Sequence, residues 1–355
     1  MIRRPMGKRR ALALCGALGA AALAGALLLA APAPPVAKPG RPLPQRFTGV
    51  NLASGEFGGK RIPGRYGFDY VYPTPAVARP FLAAGMTAVR VPVKWRRLQP
   101  APFAPLDPVE MQRLDAALQG LRGFRLVILD VHDYGKFAGQ KLDQPATSGA
   151  ILADLWTKLA TRYRSDPRIA FGLMNEPNGI DAAVWAGVAA EALKAVRATG
   201  AKNLVLVPGT RWSGAHSWTN GTPSNADALA GLRDPANNMA FEMHQYLDSD
   251  SSGTHEDCVA PEAAAARLGD ATEWLRRNRA RGFLGEFGVG PTPPCLAALD
   301  ALLTAMDRAP DVWLGWTYWA GGAMWGPYAM SVQPTGGAAK PQMAVLARHL
   351  AAGGR

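Results

Sequence analysis

The stretch IAFGLMNEP, residues 169–177, decides the fold class because it has the pattern of a buried strand that ends in polar residues. Its first six residues are almost wholly apolar, as strands are in a parallel sheet covered on both faces. Asn175 and Glu176 then break the apolar run, and Pro177 follows. A carboxyl group at the end of a buried strand is costly to desolvate, so it usually has a chemical task. The stretch therefore raises two questions: which other strands resemble it, and which residue is the partner of Glu176.

Seven further apolar runs are spread along the chain, and amphipathic stretches separate most of them. The runs are FTGVNLA (47–53), MTAVRVPV (86–93), FRLVILDV (124–131), NLVLVPG (203–209), MAFEMHQY (239–246), GFLGEFG (282–288) and VWLGWTYW (312–319). Apolar residues recur at helical spacing in 108–121, 147–163, 181–199, 261–280, 294–309 and 339–351. Eight apolar strands that alternate with helices predict an α/β fold, a closed (β/α)8 TIM barrel. A doubly wound sheet is the alternative, but SGEFGGKRIPG after the first run lacks the glycine spacing of its phosphate-binding turn.

The composition indicates a globular protein whose positive charge is concentrated at the N-terminus. Of the 355 residues, 48% are hydrophobic and 19% are charged, which excludes a disordered chain. The net charge is +12, but the first ten residues hold five basic residues and no acid, so the rest carries 12 − 5 = +7. Because that charge is modest and no long basic run occurs elsewhere, we expect no nucleic-acid partner.

The N-terminal residues have the pattern of a targeting segment. The basic head is followed by ALALCGALGAAALAGALLLAA at 11–31, which is uncharged and almost wholly apolar. This pattern predicts a signal peptide or an uncleaved membrane anchor over 1–31. We therefore expect a secreted or periplasmic protein, with tethering to the membrane through 11–31 as the alternative.

The remainder of the chain divides into a tether and a single domain. Residues 32–45 hold six prolines and predict a short, stiff, proline-rich tether. No further linker or repeat follows, so we expect one catalytic domain over 46–352 that acts as a monomer.

Polar and aromatic side chains cluster at the ends of the predicted strands. They are Arg90, His132, Asp133, Asn175, Glu176, His244, Tyr246, Glu286, Trp316 and Trp319. The active site of a barrel of this kind lies at the C-terminal ends of its strands. A barrel with a purely structural role would not need this pattern, so we expect an active site there.

Glu176 and Glu286 end the fourth and seventh predicted strands, which face each other across the mouth of a closed barrel. Two facing carboxyls suit the cleavage of a glycosidic bond: a protonated one donates to the leaving oxygen and an ionised one attacks the anomeric carbon. Arg90 could keep one glutamate ionised, and Tyr246 could donate a hydrogen bond to the same group. The retaining form of the reaction requires the two carboxyls to be roughly 5–5.5 Å apart.

Other residues at the strand ends could contact a sugar or orient the glutamates. Asn175 could reach a sugar hydroxyl, His132 and His244 could orient groups and tune the proton donor, and Trp319 offers a flat apolar face for a pyranose ring. Further candidates for the subsites are Glu56, Trp212, His216 and Trp325. Packing is the alternative for Trp212, Trp218 and Trp325, and it is the expected role of Trp95, Trp156, Trp185 and Trp274.

The sequence predicts neither a metal nor a cofactor. His132 and Asp133 are adjacent, so their side chains point to opposite faces of a strand. Without a third ligand nearby they do not form a zinc or iron site.

Six ordered motifs at the strand ends point to one family. They are VRVPVKW (89–95), LDVHDYG (129–135), MNEP (174–177), MHQYLDSDSSGTHEDCV (243–259), LGEFG (284–288) and WTYWAGGAMWG (316–326). With these motifs the chain resembles glycoside hydrolase family 5 over about 47–330, and FTGVNLASGEFGG (47–59) and RIPGRYGFDYVYP (61–73) resemble its microbial endo-β-1,4-glucanase branch.

The resemblance implies a retaining endo-β-1,4-glucanase that acts on a β-glucan polysaccharide without a cofactor. It implies that Glu176 is the acid/base and Glu286 the nucleophile. It also implies that Arg90, His132, Asn175, His244, Tyr246 and Trp319 complete the site. One departure is Asp133, where the family often has asparagine, and an acid there could alter a subsite or the pH optimum.

Cys258 and Cys295 are the two cysteines beyond the N-terminal segment. An isolated pair in an exported chain suggests one disulfide, with two unpaired thiols as the alternative. The family resemblance likewise implies a disulfide between these two residues.

Two alternative functions remain at this level. The first is a retaining β-mannanase or xyloglucanase of the same family, because specificity there depends on subsite loops. The second is a secreted carbohydrate-binding barrel that has kept the fold and lost catalysis. The presence of both glutamates argues against the second alternative.

Overall fold

The computed structural model describes residues 46–144 and 148–350. The predicted signal peptide or anchor over 1–31 and the tether over 32–45 lie outside the described residues. Both therefore stay predictions, as does the catalytic domain over 46–352. Within the described ranges, no helix is both long and apolar enough to cross a lipid bilayer.

Eight parallel strands form a closed barrel, which confirms the predicted fold. They are β1 (Phe47–Leu52), β2 (Ala88–Val93), β3 (Leu126–Val131), β6 (Ile169–Gly172), β7 (Val205–Pro208), β8 (Met239–His244), β9 (Gly282–Glu286) and β10 (Trp313–Gly321). Their order around the barrel is β1-β10-β9-β8-β7-β6-β3-β2, and β1 also pairs with β2. A short hairpin of β4 (Lys136–Phe137) and β5 (Gln140–Lys141) follows β3. All eight predicted runs are strands, although most are shorter than the apolar runs.

Helices connect the strands and surround the barrel. They are α1 (Pro75–Ala83), α2 (Trp95–Leu98), α3 (Pro108–Gly120), α4 (Gly149–Tyr163), α5 (Ala182–Ala198), α6 (Asn225–Leu229), α7 (Pro261–Ala266), α8 (Gly269–Arg277), α9 (Pro293–Asp307) and α10 (Pro341–Arg348). The start of α3 shows the local cause: the Asp107 carboxylate accepts from the Glu110 backbone N–H at 2.8 Å, and Pro108 takes the first helical position.

The prediction of one helix over 261–280 is wrong, because the segment forms two helices. The break lies at Arg267 and Leu268, between α7 and α8. Arg267 donates to the carbonyl oxygens of Tyr246 at 2.6 Å and Asp248 at 2.9 Å, so its side chain is fixed to the loop after β8. Gly269, the first residue of α8, has a low helix propensity that favours a break at this point.

The interior of the barrel has an apolar lower part and a polar upper part. The lower part is formed by Ala88, Leu126, Ile128, Ala170, Leu204, Leu206, Ala240, Phe283 and Leu314. Residues two apart on a strand point to the same face. The next interior positions along β2, β3 and β8 are therefore occupied by Arg90, Asp130 and Glu242, all fully buried. The polar layer lies directly beneath the C-terminal ends of the strands.

Two further apolar clusters complete the packing. The larger one fills the space between the barrel and the helices and includes the tryptophans predicted as core, Trp95, Trp156, Trp185 and Trp274. The smaller one, which we call the mouth cluster, consists of Ala53, Tyr246, Trp319, Ala320 and Met330, with Phe57, Trp325 and Tyr328 packed against it. The mouth cluster places aromatic rings beside the polar layer at the open end of the barrel.

Candidate active site

Glu176 lies in the loop after β6, at the mouth of the barrel. The strand ends at Gly172, three residues before Asn175, whose backbone N–H donates to the Val131 carbonyl at 2.7 Å. The φ angle of Glu176 is +43°, a left-handed conformation that costs a residue other than glycine of order 1–3 kcal/mol. Its Oε1 lies 2.8 Å from Nδ1 of His244. The loop therefore fixes the glutamate in a strained backbone position with its side chain against His244.

Glu286 ends β9 and is buried between three polar side chains. Arg90 donates from Nη1 to its Oε1 at 2.7 Å, and the Tyr246 hydroxyl donates to its Oε2 at 3.0 Å. Nδ1 of His244 lies 3.7 Å from the same Oε2. Both oxygens of the Glu286 carboxylate therefore accept a hydrogen bond, one from a guanidinium and one from a hydroxyl.

The two carboxyl groups face each other at short range. One oxygen of Glu176, one oxygen of Glu286 and a ring nitrogen of His244 all lie within 4.8 Å of one another. Glu286 is buried and Glu176 is partly open to the cleft. The arrangement predicted from the fourth and seventh strands is therefore present in the fold.

Arg90 is the cation that holds the polar layer together. Its guanidinium forms ion pairs with Glu286 at 2.7 Å, Glu242 at 2.8 Å and Asp130 at 3.0 Å. It also donates from Nη2 to Oδ1 of Asn175 at 2.8 Å. The neighbouring carboxylates outweigh burial and raise the pKa of Arg90 above its usual value, so it is always charged. The expectation that Arg90 lies at a strand end is wrong: it is the third residue of β2 and points into the barrel.

Asn175 is oriented so that its amide nitrogen remains available. Its Oδ1 accepts from Arg90, which assigns the other amide atom as nitrogen. That Nδ2 is buried and has no hydrogen-bond partner among the described residues. A buried donor without a partner is costly, which suits an atom that binds a ligand.

Two strands carry an acid two residues before a histidine, and we call them the acid–x–His strands. At the end of β3 the pair is Asp130, on the strand, and His132, the first residue after it, with Oδ2 2.8 Å from Nδ1. On β8 the pair is Glu242 and His244, with Oε1 3.5 Å from Nε2. Because residues two apart share a face, each acid lies one layer deeper in the barrel than its histidine.

The two histidines titrate in opposite directions. Burial, aided by the nearby Arg90 and Lys94 cations and opposed by the Glu286 carboxylate, lowers the pKa of His132 to about 3. Burial also disfavours the charge on His244, but the carboxylates of Glu286, Glu176 and Glu242 outweigh it and raise its pKa to about 10. His132 is therefore neutral and His244 is an imidazolium over the ordinary pH range.

The pKa values of the two acids, Asp130 and Glu242, are also shifted in opposite directions. Burial raises the pKa of Asp130 to about 7, despite the ion pair with Arg90. Burial also acts to raise the pKa of Glu242, but Arg90 and His244 outweigh it and lower that pKa below its usual value. Glu242 is therefore a carboxylate at neutral pH, while Asp130 holds a proton under acidic conditions.

Aromatic rings of the mouth cluster contact one another and the His132 ring. Trp319 stacks on the His132 ring, with centroids 5.6 Å apart and planes 15° apart. Trp325 packs edge-on against Trp319 and stacks on Tyr328. Trp325 therefore packs with the aromatic rings of the mouth cluster.

Glu176 lines a cavity of about 640 Å³. Its lining includes Glu176, His244, Tyr246, Trp212 and His216. The Trp212 side chain is 55% exposed and follows β7 in a turn, residues 211–213, whose φ angles are +55°, +54° and +56°. Left-handed residues other than glycine are rare in succession, so this turn holds the indole in a strained, defined position. The candidates Trp212 and His216 are thus both in the cavity wall.

Two other candidates, Glu56 and Trp218, have different surroundings. Glu56 is 7% exposed, accepts from the Ser54 backbone N–H at 2.9 Å, and does not line the cavity beside Glu176. Burial raises the pKa of Glu56 to about 7. Trp218 is buried against Phe241 and Trp274, so it has a packing role.

Asp133 has a structural environment at the start of α2. Its carboxylate accepts from the Trp95 backbone N–H at 2.7 Å and from Nζ of Lys94 at 3.2 Å. The same Lys94 amine donates to the His132 carbonyl at 2.6 Å. The acid thus joins β3 to the loop after β2.

Four residues of the site were missing from the candidates. Asp130 and Glu242 support the two histidines, Asn51 accepts from Nη1 of Arg90 at 3.0 Å, and the Tyr134 hydroxyl lies 3.3 Å from Nε2 of His132. The acids carried a readable signal, since each stands two residues before a histidine on an apolar strand. Asn51 and Tyr134 carried no comparable signal.

Two groups of side chains in the described residues have a spacing that could hold a cation. One is the set of Glu176, His244 and Glu286, and the other is Asp248, Asp250 and His255. In the second group, Asp248 already accepts from Ser252 Oγ, Gly253 N and Thr254 N. Neither group argues for a metal, and the expectation of no cofactor stays a prediction.

The predicted disulfide between Cys258 and Cys295 is present. It connects the loop after β8 to the first turn of α9. Because the loop after β8 lines the cavity through residues 250–254, the bond anchors one wall of the site.

Comparison with known proteins identifies one family. Residues 44–322 match the family described as "Cellulase (glycosyl hydrolase family 5)". The chain is 35% identical over 295 residues to Endoglucanase 3 of Humicola insolens, covering 82% of this chain and 74% of that protein.

Solved structures give the same result at higher identity. An endo-β-1,4-glucanase of Xanthomonas axonopodis pv. citri is 43% identical with a TM-score of 0.84, covering 86% of this chain and 98% of that chain. XacCel5A, solved in complex with cellopentaose, is 44% identical with a TM-score of 0.84, covering 86% and 99% respectively.

Proposed function

Because the chain belongs to glycosyl hydrolase family 5, the cellulase family, we propose that it is a retaining endo-β-1,4-glucanase that cleaves internal bonds of cellulose-type glucans. The family predicted from the motifs is thereby confirmed, and the chain is a glycoside hydrolase. The stereochemistry, the substrate and the residue roles below are our proposal.

The observation that carries the proposal is the pair of facing carboxyls in unlike environments. Oxygens of Glu176 and Glu286 approach within 4.8 Å. This spacing suits a retaining enzyme, whose carboxyls are about 5–5.5 Å apart, rather than an inverting one, which needs about 6.5–9.5 Å for a water. Arg90 and Tyr246 stabilise negative charge on Glu286, so it is the nucleophile, and Glu176, partly open to the cleft, is the acid/base.

The first step forms a covalent intermediate. The Glu286 carboxylate attacks the anomeric carbon while the bond from that carbon to the leaving oxygen breaks. Glu176 transfers its proton to the leaving oxygen, so the departing chain leaves as a neutral sugar. Glu286 then holds the remaining sugar as an ester, and Glu176 is ionised.

The second step reverses the proton transfer. Glu176 takes a proton from a water molecule, whose oxygen attacks the anomeric carbon and displaces Glu286. The ester bond breaks, Glu286 regains its negative charge and Glu176 regains its proton. Two inversions at one carbon give net retention.

The surrounding residues fit a sugar at this position. The unpartnered Nδ2 of Asn175 can donate to the hydroxyl next to the anomeric carbon, where hydrogen bonds strengthen in the transition state. The Trp319 face can stack on the same sugar, and Trp212 can form a wall for the leaving chain. His132, held against Trp319, fixes that platform.

The choice of a β-1,4-glucan follows from the relatives. Those cited above carry the names endoglucanase and endo-β-1,4-glucanase, and XacCel5A was solved with cellopentaose. We extend that substrate to this chain because identity exceeds 40% over most of its length. We also propose that the protein works outside the cytoplasm, since a disulfide is typical of oxidising compartments.

The test is a substrate panel with two isosteric variants. Wild type, Glu176→Gln and Glu286→Gln are assayed for viscosity loss and reducing ends on carboxymethyl cellulose, β-mannan and xyloglucan. The first anomer released from a cello-oligosaccharide is identified by proton NMR. Glu110→Gln is the matched control, because Glu110 is a buried glutamate in α3 that binds the hydroxyls of Tyr70 and Tyr72.

We expect rapid viscosity loss on carboxymethyl cellulose, β-anomer as the first product, and a loss of roughly 10³-fold or more in kcat for both active-site variants. Glu110→Gln should retain activity. Cleavage of mannan or xyloglucan alone would replace the substrate and keep the mechanism. Activity that survives Glu286→Gln, or an initial α-anomer, would overturn the mechanism.

A further inference from the structure

Glu242 is a buried carboxylate that the two steps above do not use. Its Oε1 lies 2.8 Å from Nε of Arg90 and 3.5 Å from Nε2 of His244. Its Oε2 is buried without a hydrogen-bond partner in the described residues. A buried carboxylate is costly unless it is paired, and the partners of Glu242 are Arg90 and His244.

His244 depends on Glu242 more than Arg90 does. The imidazole has Glu176 on its Nδ1 side and Glu242 on its Nε2 side. Arg90 is also held by Asn51, Asn175, Glu286 and Asp130, all within 3.0 Å. Removing the charge of Glu242 would therefore leave Arg90 in place and release one side of the His244 ring.

Gly285 on β9 makes room for this carboxylate. A Cβ atom at position 285 would lie 2.2 Å from Oε1 of Glu242, which is too close for any real contact. The Gly285 carbonyl accepts from Asn51 Nδ2 at 2.9 Å and from Thr317 Oγ1 at 2.7 Å, so the backbone is anchored. An alanine at 285 would thus move the carboxylate rather than the strand.

We propose that Glu242 is a positioning residue for the acid/base: it holds the His244 ring so that Nδ1–H points at Glu176. The role rests on the proposed function, because it needs Glu176 as the proton donor. Glu242 itself does not touch the substrate. Protonated His244 donates from Nδ1 to Glu176 and from Nε2 to Glu242, so one buried carboxylate fixes both the angle and the charge of the ring.

The experiment separates proton donation from the rest of the reaction. Glu242→Gln keeps the size of the side chain and removes its charge. Two aryl β-cellotriosides are compared, one with 4-nitrophenolate and one with 2,4-dinitrophenolate as the leaving group. The dinitrophenolate leaves without protonation, so kcat/KM on that substrate does not need the acid, whereas the nitrophenyl substrate benefits from it.

We expect Glu242→Gln to lower kcat/KM on the nitrophenyl substrate by about 30–100-fold and on the dinitrophenyl substrate by less than about 5-fold, because general acid catalysis contributes about 10²–10⁴. Gly285→Ala should give the same pattern, and it replaces Glu242→Gln if that variant does not fold. Glu110→Gln, which removes an equally buried carboxylate from α3, should show no dependence on the leaving group.

The pH dependence of kcat/KM is a second measurement. A variant that lost only packing contacts would leave it unchanged. The charged groups facing His244 are Glu176 after β6, Glu286 on β9, Arg90 on β2, Asp130 on β3 and Glu242 on its own strand. Removing the negative charge of Glu242 destabilises the protonated form of the hydrogen-bonded pair of His244 and Glu176. The alkaline limb of kcat/KM should therefore move to lower pH in Glu242→Gln.

The failures are distinguishable. A wild type that cleaves neither substrate would overturn the proposed function and, with it, the role of Glu242. An active wild type with equal losses on both substrates, or with an alkaline limb that does not move, would overturn the positioning role alone.

Discussion

Strands β3 and β8 carry the same acid–x–His arrangement, yet one histidine is neutral and the other is charged. On β3 the partner of His132 is Asp130, at 2.8 Å, and the pKa of His132 is about 3. On β8 the partner of His244 is Glu242, at 3.5 Å, and the pKa of His244 is about 10. The histidine with the closer acid is thus the neutral one.

The difference arises from residues that belong to other strands and their loops. His132 lies against the Trp319 ring, where burial and the cations of Arg90 and Lys94 outweigh the influence of the Glu286 carboxylate on its pKa. His244 lies against the carboxylates of both Glu176 and Glu286. The spacing along a strand therefore determines the position of the acid and its histidine, and residues of the neighbouring strands determine the charge of the histidine.

The two strands also divide the work of the site. The neutral His132 supports the Trp319 face, an apolar surface that suits a sugar ring. The charged His244 lies between the two glutamates, where the proposed mechanism places the transferred proton. The same local motif thus provides a platform on one side and a proton-holding group on the other.

The largest expected effect comes from removing the cation that both strands share. Arg90→Met leaves the buried carboxylates of Asp130, Glu242 and Glu286 without their counter-charge. Breaking a buried pair in this way typically costs about 3–5 kcal/mol. We expect a loss of at least that size in the free energy of unfolding, measured with urea.

The control for Arg90→Met is Arg113→Met. Arg113 pairs with Glu110 near the surface of α3, where its side chain is 34% exposed. We expect a loss of less than about 1 kcal/mol there. If Arg90→Met also lost less than that amount, the two strands would not share a counter-charge in the sense described.

The next effect is a difference in activity between the two histidines. His244→Gln removes the proton-holding group, so kcat/KM should fall about 100-fold. His132→Gln removes only the support of Trp319, and we expect a fall of about 10-fold or less, seen chiefly in KM, because sugar stacking contributes about 1 kcal/mol. Steady-state kinetics on one cello-oligosaccharide measures both. The reverse order would show that the roles of the two strands are exchanged.

The pH dependence of stability should differ between the strands. The folded pKa of His244 is raised from 6.5 to about 10, so the folded protein retains a proton that the unfolded chain releases. Its stabilisation is complete below pH 6.5 and is lost as the pH rises to about 10, with a slope of at most about 1.4 kcal/mol per unit. His244→Gln should flatten this limb in unfolding curves measured from pH 6 to 10.

The β3 pair should show no comparable slope. Between about pH 4 and 6.5 the unfolded chain carries one proton on His132, and the folded protein carries one on Asp130, so folding takes up no net proton. His132→Gln would leave Asp130 alone with its raised pKa. Stability should then fall as the pH rises from 3.8 to about 7. A wild-type slope in that range that is unchanged in His132→Gln would contradict the pairing.

The smallest effect concerns the residue after each histidine, which is Asp133 on β3 and Gln245 on β8. Both are structural: Asp133 binds the Trp95 N–H and Lys94, and Gln245 accepts from the His216 N–H at 2.9 Å. Asp133→Asn can keep the bond to Trp95 and loses only the ion pair. We expect a loss of about 1 kcal/mol or less in stability and no change in the pH optimum of activity. A shifted optimum would favour the sequence-based expectation that this acid tunes the site.

The barrel and the pair of facing glutamates were predictable because both depend on patterns that a sequence displays directly. Continuous apolar runs identified the eight strands, and Glu176 and Glu286 stood at their ends. Arg90 was placed wrongly, since a charged residue in an apolar strand was taken as its end when it is the interior of a polar layer. The break between α7 and α8 depends on a contact of Arg267 with a distant loop, which no local pattern encodes.

The charge states of the site could not be predicted for the same reason. The motifs around His132 and His244 are alike, and only the closed barrel brings Lys94 near His132 and places the Glu176 carboxylate in hydrogen-bond contact with His244. The turn at 211–213 was also unpredictable, because none of its residues is a glycine and their positive φ angles are imposed by the surroundings. Ser213 Oγ, for example, donates to the Glu242 carbonyl and accepts from the Gly209 N–H.

That turn has a consequence for anyone who evolves this protein in the laboratory. Three left-handed residues cost roughly 1–2 kcal/mol each, and glycine would relieve that cost at any of them. A screen that selects only for heat resistance should therefore enrich glycine at position 212. The selected variants would be more stable and would lack the indole that lines the cavity. Selection for stability would therefore favour glycine at position 212, whereas selection for activity would favour tryptophan.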